Sequence, residues 1–265
     1  MNTTYKSIPG VPDFICDEYM PKKNKYCLLI PIINENGRIQ TELHRAMSAK
    51  IHDVIDIIIC DGGSTDGCTN RNGLITLGVN TLLVKTGYGK QGAQLRMGFW
   101  WAIERGYKGF ITIDGNNKDS IEDVPKFIEK LDEGYDFVQG SRFIKGGKAV
   151  NTPILRYLAV RLVHAPVISL TAKRWFTDTT NAFRAYSKSY ITNADVQPFR
   201  DIFVSYELLA YLSVKASRLG LHTCEISVKR VYPSGEKIPT KIKGFRGNIL
   251  LFKILVCNAR GKYNV

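Results

Sequence analysis

Apolar, β-branched runs recur along the first half of the chain, and stretches with helical spacing lie between them. Residues 26–33, 54–60, 81–84, 109–113 and 135–139 read as five buried strands. Residues 37–50, 93–105 and 124–133 carry the helical pattern, the last entered through Asp123. Strands alternating with helices of this length imply an α/β fold with a Rossmann-like, mostly parallel sheet flanked by helices. Residues 1–24 read as an irregular lead-in, because Pro9, Pro12 and Pro21 interrupt any helix.

After Gly140 the rhythm changes. Residues 141–148 are basic and Gly-rich, and 151–171 are apolar with Arg156, Arg161 and His164 spaced along them. A second strong helical pattern spans 203–219, and a further strand spans 224–229. The tail carries Lys237, Lys241, Lys243 and Arg246, then an amphipathic stretch to Cys257. The expected division is a lead-in (1–25), one α/β domain (26–240) and a basic amphipathic C-terminal extension (241–265). The run 249–256 is interrupted by Lys253, so no stretch is expected to reach the ~18 to 20 apolar residues of a membrane span. The N-terminus lacks the apolar core of a secretory signal.

The chain has 265 residues, 44% of them apolar, which suits one globular domain with an appendage. Its net charge of +13 calls for an anionic partner: nucleic acid, anionic lipid or a phosphorylated substrate. Nucleic acid is set aside, because no helix-turn-helix, zinc or aromatic RNA-binding signature accompanies the charge. Six cysteines without a C-x-x-C pair read as reduced core thiols of a cytosolic protein.

Two acidic groups follow strands. Asp61-Gly62-Gly63-Ser64-Thr65-Asp66-Gly67 comes after Ile57-Ile58-Ile59-Cys60, and Asp114-Gly115-Asn116 after Phe110-Ile111-Thr112-Ile113. Residues past the carboxyl ends of parallel strands line the ligand crevice of an open α/β sheet. Carboxylates there can hold a ribose, a base edge or a divalent cation. Each also has a plainer use, since Asp caps helices and stabilises turns. The turn Gly87-Tyr88-Gly89-Lys90-Gln91-Gly92 opens a helix whose N-terminus can face an anion.

In order along the chain, these motifs resemble family 2 glycosyltransferases of the GT-A fold, especially the polyprenyl (dolichyl) phosphate sugar transferases. Pro31-Ile32-Ile33-Asn34-Glu35 is similar to the family's Pro-x-x-Asn-Glu turn, and Asp61–Gly67 to its Asp-Asp-Gly-Ser-Thr-Asp-Gly loop. Asp114-Gly115-Asn116 stands at the Asp-x-Asp metal motif, and Gln139-Gly140-Ser141-Arg142-Phe143 at Val-Gly-Ser-Arg-Tyr. Asp178–Tyr186 resembles Asp-x-Thr-Ser-Gly-Phe-Arg-Ala-Tyr, and Arg230 with Ser234-Gly235-Glu236-Lys237 the closing Arg…Gly-Glu-Ser-Lys segment. Gly62, Asn116 and Lys118 stand where the family has Asp, Asp and Gln, and Val160 where the lipid-phosphate branch often has Ser. The spans carried by many lipid-phosphate members are not expected here.

The resemblance implies an inverting hexosyltransferase. A nucleotide-diphospho-sugar, UDP- or GDP-linked, would contact Pro31, Glu35, Asp61, Asp66, Lys90, Asp114, Lys118, Arg230 and Lys237, the last two as a lid. Mg²⁺ or Mn²⁺ would sit on Asp114 and Asn116, weakly, with Lys118 supplying part of the missing charge. Arg142 and Arg156 would face the phosphate of a polyprenyl acceptor at the cytoplasmic face of a membrane, where the charge favours an anionic surface. Asp178 would be the base if the acceptor were instead a sugar hydroxyl in surface polysaccharide synthesis. Arg184 would anchor the loop of Asp178. A non-catalytic nucleotide-sugar-binding scaffold is the third reading.

Overall fold

The computed structural model describes residues 2–234 and 244–264. Strands β1 (Asn2–Tyr5) and β2 (Phe14–Glu18) open the chain, followed by β3 (Tyr26–Ile32), α1 (Arg38–Ser48), α2 (Ile51–Val54) and β4 (Asp56–Asp61). Next come α3 (Arg71–Thr76), β5 (Val79–Lys85), α4 (Gln91–Glu104), β6 (Gly109–Thr112), α5 (Val124–Asp132) and β7 (Phe137–Ser141). The second half contains β8 (Lys148–Val150), α6 (Ile154–Leu158), a π-helical segment (Ala159–His164), α7 (Ala165–Ala172), β9 (Arg184–Ser187) and α8 (Lys188–Ile191). It closes with α9 (Glu207–Arg218), β10 (Thr223–Ser227), β11 (Lys229–Val231) and α10 (Gly244–Ala259).

Nine strands form one sheet in the order β1-β2-β5-β4-β3-β6-β9-β7-β10. The run β5-β4-β3-β6 is parallel, and β9 enters antiparallel between β6 and β7. Helices cover both faces, so β4 is buried at every position and reads in sequence as an unbroken apolar run. One core cluster packs α4, α7, α9 and α10 against the sheet around Phe99, Trp101, Phe110 and Tyr211. The other packs α1 and α5 on the opposite face around Leu43, Ile57 and Phe127.

The lead-in is not irregular. β1 pairs with β2, and β2 pairs antiparallel with β5, extending the sheet. Tyr5 stacks on Phe14 at 4.7 Å, and both rings meet Trp100 edge-on. Pro9, Pro12 and Pro21 fall between or beyond these strands, where they cost no ladder hydrogen bond.

Residues 154–172 form one continuous helix, 19 residues long with mean hydropathy 1.3 and 22% buried. By length and composition alone it could cross a membrane, which corrects the expectation that no stretch would. Its π-helical turn, residues 159–164, is followed by Pro166, which has no N–H to donate to the carbonyl of Leu162. α10 packs on α7 and α9, with Ile254 and Leu255 buried.

Candidate functional site

At the carboxyl ends of β3 and β4, two loops are sewn together. Asp61 accepts hydrogen bonds from the amides of Gly63 and Ser64 and from Ser64 Oγ, all within its own loop. Asp66 reaches across to the amide of Asn36, and Asn34 accepts from the amide of Thr65. Glu35 is buried and pairs with Arg38 at 2.5 Å. Gln94 donates to the carbonyls of Ile32 and Cys60, tying both strand ends to α4. A Cβ at Gly62 would lie 3.1 Å from that amide and 3.3 Å from the Ile32 carbonyl. A larger residue there would require Gln94 or Ile33 to give by a few tenths of an ångström. Pro31 lies in β3 at the rim of the same crevice. Lys90 is exposed at the start of α4.

The strand β6 delivers Asp114 a short distance beyond its end. Gln91, on the first turn of α4, donates to Asp114 Oδ1 at 3.1 Å. Arg230 donates to Asp114 Oδ2 at 3.2 Å and also pairs with fully buried Asp119. Burial disfavours ionisation of Asp114, but Arg230 and then Lys118 outweigh it and hold the carboxyl below its ordinary range. Lys118 is buried, and its Nζ lies 5.2 Å from the ring centre of Tyr232. Desolvation and then Arg230 lower its ammonium to about 8, against the pull of Asp114, Tyr232 and Asp119.

Asp114 and the Asn116 carbonyl are donors that would suit a divalent cation. Asn116 Nδ2 donates to Asp114 Oδ2 at 3.3 Å, while its buried Oδ1 has no partner among the described residues. One carboxylate and one neutral carbonyl make up the sparse protein coordination that Mg²⁺ accepts when substrate phosphates supply the rest. Among the described residues no three His, Cys, Asp or Glu side chains cluster to hold a metal without a substrate.

Two expected roles change at the other end of the crevice. Asp178 is fully buried and receives Arg142 in a fork, Nε to Oδ2 at 2.6 Å and Nη2 to Oδ1 at 2.8 Å. The amide of Arg142 also donates to Asp178 Oδ2. Burial raises the Asp178 pKa, but Arg142 overcomes it and leaves the carboxyl below its ordinary range. A carboxylate so engaged is a weak proton acceptor, and Arg142, 4% exposed, has spent its fork on it rather than turning to an acceptor. Arg184 anchors this segment as expected, donating to the carbonyls of Thr179, Asn181 and Leu209. Glu225 braces it from β10 through the amides of Thr177 and Asp178.

Arg156, on α6 and partly exposed, donates through Nη1 to the Tyr232 hydroxyl at 3.2 Å. Arg156, Arg230 and Lys118 therefore meet at one phenol, which carried no role in the sequence reading. Gln91 was also missed, although it follows Lys90 in the Gly-rich turn. The only available signal for Tyr232 was its position two residues after Arg230. Lys237, Lys241 and Lys243 lie outside the described residues.

No family profile matches the chain. It is 27% identical over 206 residues to an undecaprenyl-phosphate mannosyltransferase from Micrococcus luteus, covering 76% of this chain and 81% of that one. It is 23% identical over 248 residues to a polyprenol monophosphomannose synthase from Mycolicibacterium smegmatis, covering 89% and 87%. Among solved structures, glucosyl-3-phosphoglycerate synthase from Mycobacterium tuberculosis bound to UDP superposes with a TM-score of 0.63 at 17% identity. That match covers 89% of this chain and 80% of the other. The same enzyme has been solved with Mn²⁺ and UDP and with Mg²⁺ and UDP. The fold is that of GT-A glycosyltransferases, and the sequence relatives are polyprenyl-phosphate sugar transferases.

Proposed function

We propose that this chain, a GT-A glycosyltransferase by fold and by its relatives, transfers a hexose from a nucleoside diphospho-sugar to a polyprenyl phosphate. The observation that carries the acceptor half of this reading is the closed pair Arg142–Asp178. A sugar hydroxyl must lose a proton as it attacks, and the one carboxylate offered as its base is tied up. A phosphate oxygen is already ionised and needs cations instead. At ~5 Å and an effective dielectric near 20, bringing one unit anion to another costs roughly 3 kcal/mol. Arg156, partly exposed at the Tyr232 hydroxyl, stands where it can offset that repulsion, with Lys118 against the same ring.

In the reaction, a phosphate oxygen of the acceptor attacks the anomeric carbon as the bond to the nucleoside diphosphate breaks. The configuration inverts, the electron pair leaves with the diphosphate, and no proton is transferred. Asp114 and Asn116 Oδ1 would hold a Mg²⁺ or Mn²⁺, whose charge neutralises the departing diphosphate. Gln91 and Arg230 orient the Asp114 carboxylate from both sides. Asp61, Asp66 and Glu35 fix the loops against which base and ribose lie, with Pro31 beneath and Lys90 at the diphosphate. The Arg142–Asp178 pair keeps the acceptor wall rigid.

This reading places the protein on the cytoplasmic face of a membrane. Ile154, Leu155, Leu162 and Leu170 are 70–79% exposed along the helix that carries Arg156, and Trp175 just beyond it is 68% exposed. A polyprenyl tail and lipid chains would cover them.

Thermal unfolding with UDP, GDP and CDP, each with Mg²⁺, Mn²⁺ or EDTA, tests the donor half. Ligand at a hundred times its dissociation constant adds roughly 2.7 kcal/mol. The expected result is stabilisation by one nucleotide that shrinks in EDTA. If none of the three stabilises the protein, the transferase reading is lost and a basic scaffold on the same fold takes its place.

A further inference from the structure

We propose that Tyr232 is the positioning residue of the acceptor-phosphate subsite, gathering Arg156, Arg230 and Lys118 around one phenol and linking that subsite to the donor loop. The proposal rests on the transferase reading above and adds to it a positioning residue.

Tyr232 is 1% exposed, so it touches the other groups rather than solvent. Its hydroxyl accepts from Arg156 Nη1 at 3.2 Å. The guanidinium carbons of Arg156 and Arg230 each lie 5.8 Å from its ring centre, and Lys118 Nζ lies 5.2 Å away. Cations at such distances are attracted by the electron-rich ring face. Asp114 and Asp119 compensate Arg230 on its far side, and the ring gives Arg156 and Lys118 a common face to pack against. Burial alone would raise the phenol's pKa, yet Arg230, Arg156 and Arg142 leave it lowered, as expected of a group at a positive focus.

The backbone joins the same three segments. The Tyr232 amide donates to Val150 and its carbonyl accepts from Asn151 Nδ2, next to the helix of Arg156. The Val231 amide donates to the Lys118 carbonyl, and Arg230 pairs with Asp114 and Asp119 beyond it. The parallel pair β8–β11 holds this register. A phosphate arriving at half-exposed Arg156 therefore meets a cation whose direction is set by Tyr232. Its hydrocarbon tail would run over exposed Ile154, Leu155 and Leu158. Through Arg230 the same phenol adjoins the carboxylate proposed for the donor's metal.

The experiment measures binding of farnesyl phosphate and uncharged farnesol to the full chain and to Tyr232→Phe and Tyr232→Leu, by calorimetry in detergent. Phe keeps the ring face and loses the hydrogen bond to Arg156, whereas Leu loses both. Farnesyl phosphate is expected to bind Tyr232→Phe about tenfold more weakly. Tyr232→Leu should bind it more weakly still. Farnesol binding and nucleotide-dependent stabilisation should be retained in Tyr232→Phe. Arg156→Ala should cost less in the Phe background than in the wild type, because the two residues act together. Equal binding of farnesyl phosphate by all three proteins overturns the proposal. So does a parallel loss of farnesol and farnesyl phosphate, which marks general damage. If the wild type itself does not prefer farnesyl phosphate to farnesol, the polyprenyl-phosphate reading fails and the role of Tyr232 fails with it.

Discussion

Asp178 and Arg142 illustrate how far residue identity goes. Their motifs marked Arg142 as facing an acceptor phosphate and Asp178 as a base for a hydroxyl acceptor, but one sequence cannot show that each is the other's partner, thirty-six residues apart. Removing one member of a buried pair leaves the other charge uncompensated, so Asp178→Asn should lose about 3–5 kcal/mol in a denaturant titration. A variant as stable as the wild type but inactive would restore Asp178 as a base. The pH dependence follows the same geometry. The folded-state pKa of Asp178 lies below its ordinary 3.8, so the unfolded chain takes up the proton first as pH falls. The pair's contribution is thus complete above about pH 4 and is lost progressively below it, an acid limb that Asp178→Asn should flatten.

At the scale of elements, helix α4 shows what the periodic pattern could and could not reveal. Its helical spacing was plain, but its seat on the 203–205 segment was not. A Cβ at Gly92 would lie 2.6 Å from the Phe203 carbonyl and 2.7 Å from that of Ser205, and backbone does not yield cheaply. Gly92→Ala should therefore cost about 1–3 kcal/mol of stability. It should also weaken nucleotide binding, by displacing Gln91 from Asp114. Unchanged melting and unchanged nucleotide response would show that the junction is loose. The parallel strands at the centre of the nine-stranded sheet were legible because burial on both faces writes them as apolar runs. β1, β2 and β9 were not, since four or five residues of mixed character become strands only when a neighbouring edge supplies partners.

For the whole molecule, charge and exposed apolar surface act together. On the proposed reading, the net charge of +13 would attract the chain to an anionic surface, and the helix of residues 154–172 would present the apolar contact. The protein should co-sediment with vesicles containing phosphatidylglycerol more than with neutral ones, and less at high salt. Leu155→Glu with Leu162→Glu should abolish co-sedimentation while leaving nucleotide-dependent stabilisation intact. Undiminished sedimentation of that double variant would move the contact surface elsewhere.

The sequence determined the periodic α/β frame, the two acidic loops at strand ends and the cationic balance. Each of these is a local property of residues near one another in the chain. The tertiary structure alone decided which charges neutralise each other and which remain to meet a substrate. Asp178 is matched to Arg142 from thirty-six residues away, and Tyr232 meets Arg156 from seventy-six. Pairings at such separations are set by tertiary topology: β7 and β9 are neighbours in the nine-stranded sheet, and β8 and β11 pair in a separate two-stranded one. Spacing along the chain carries no record of that topology, because the same local patterns are compatible with several arrangements of the strands.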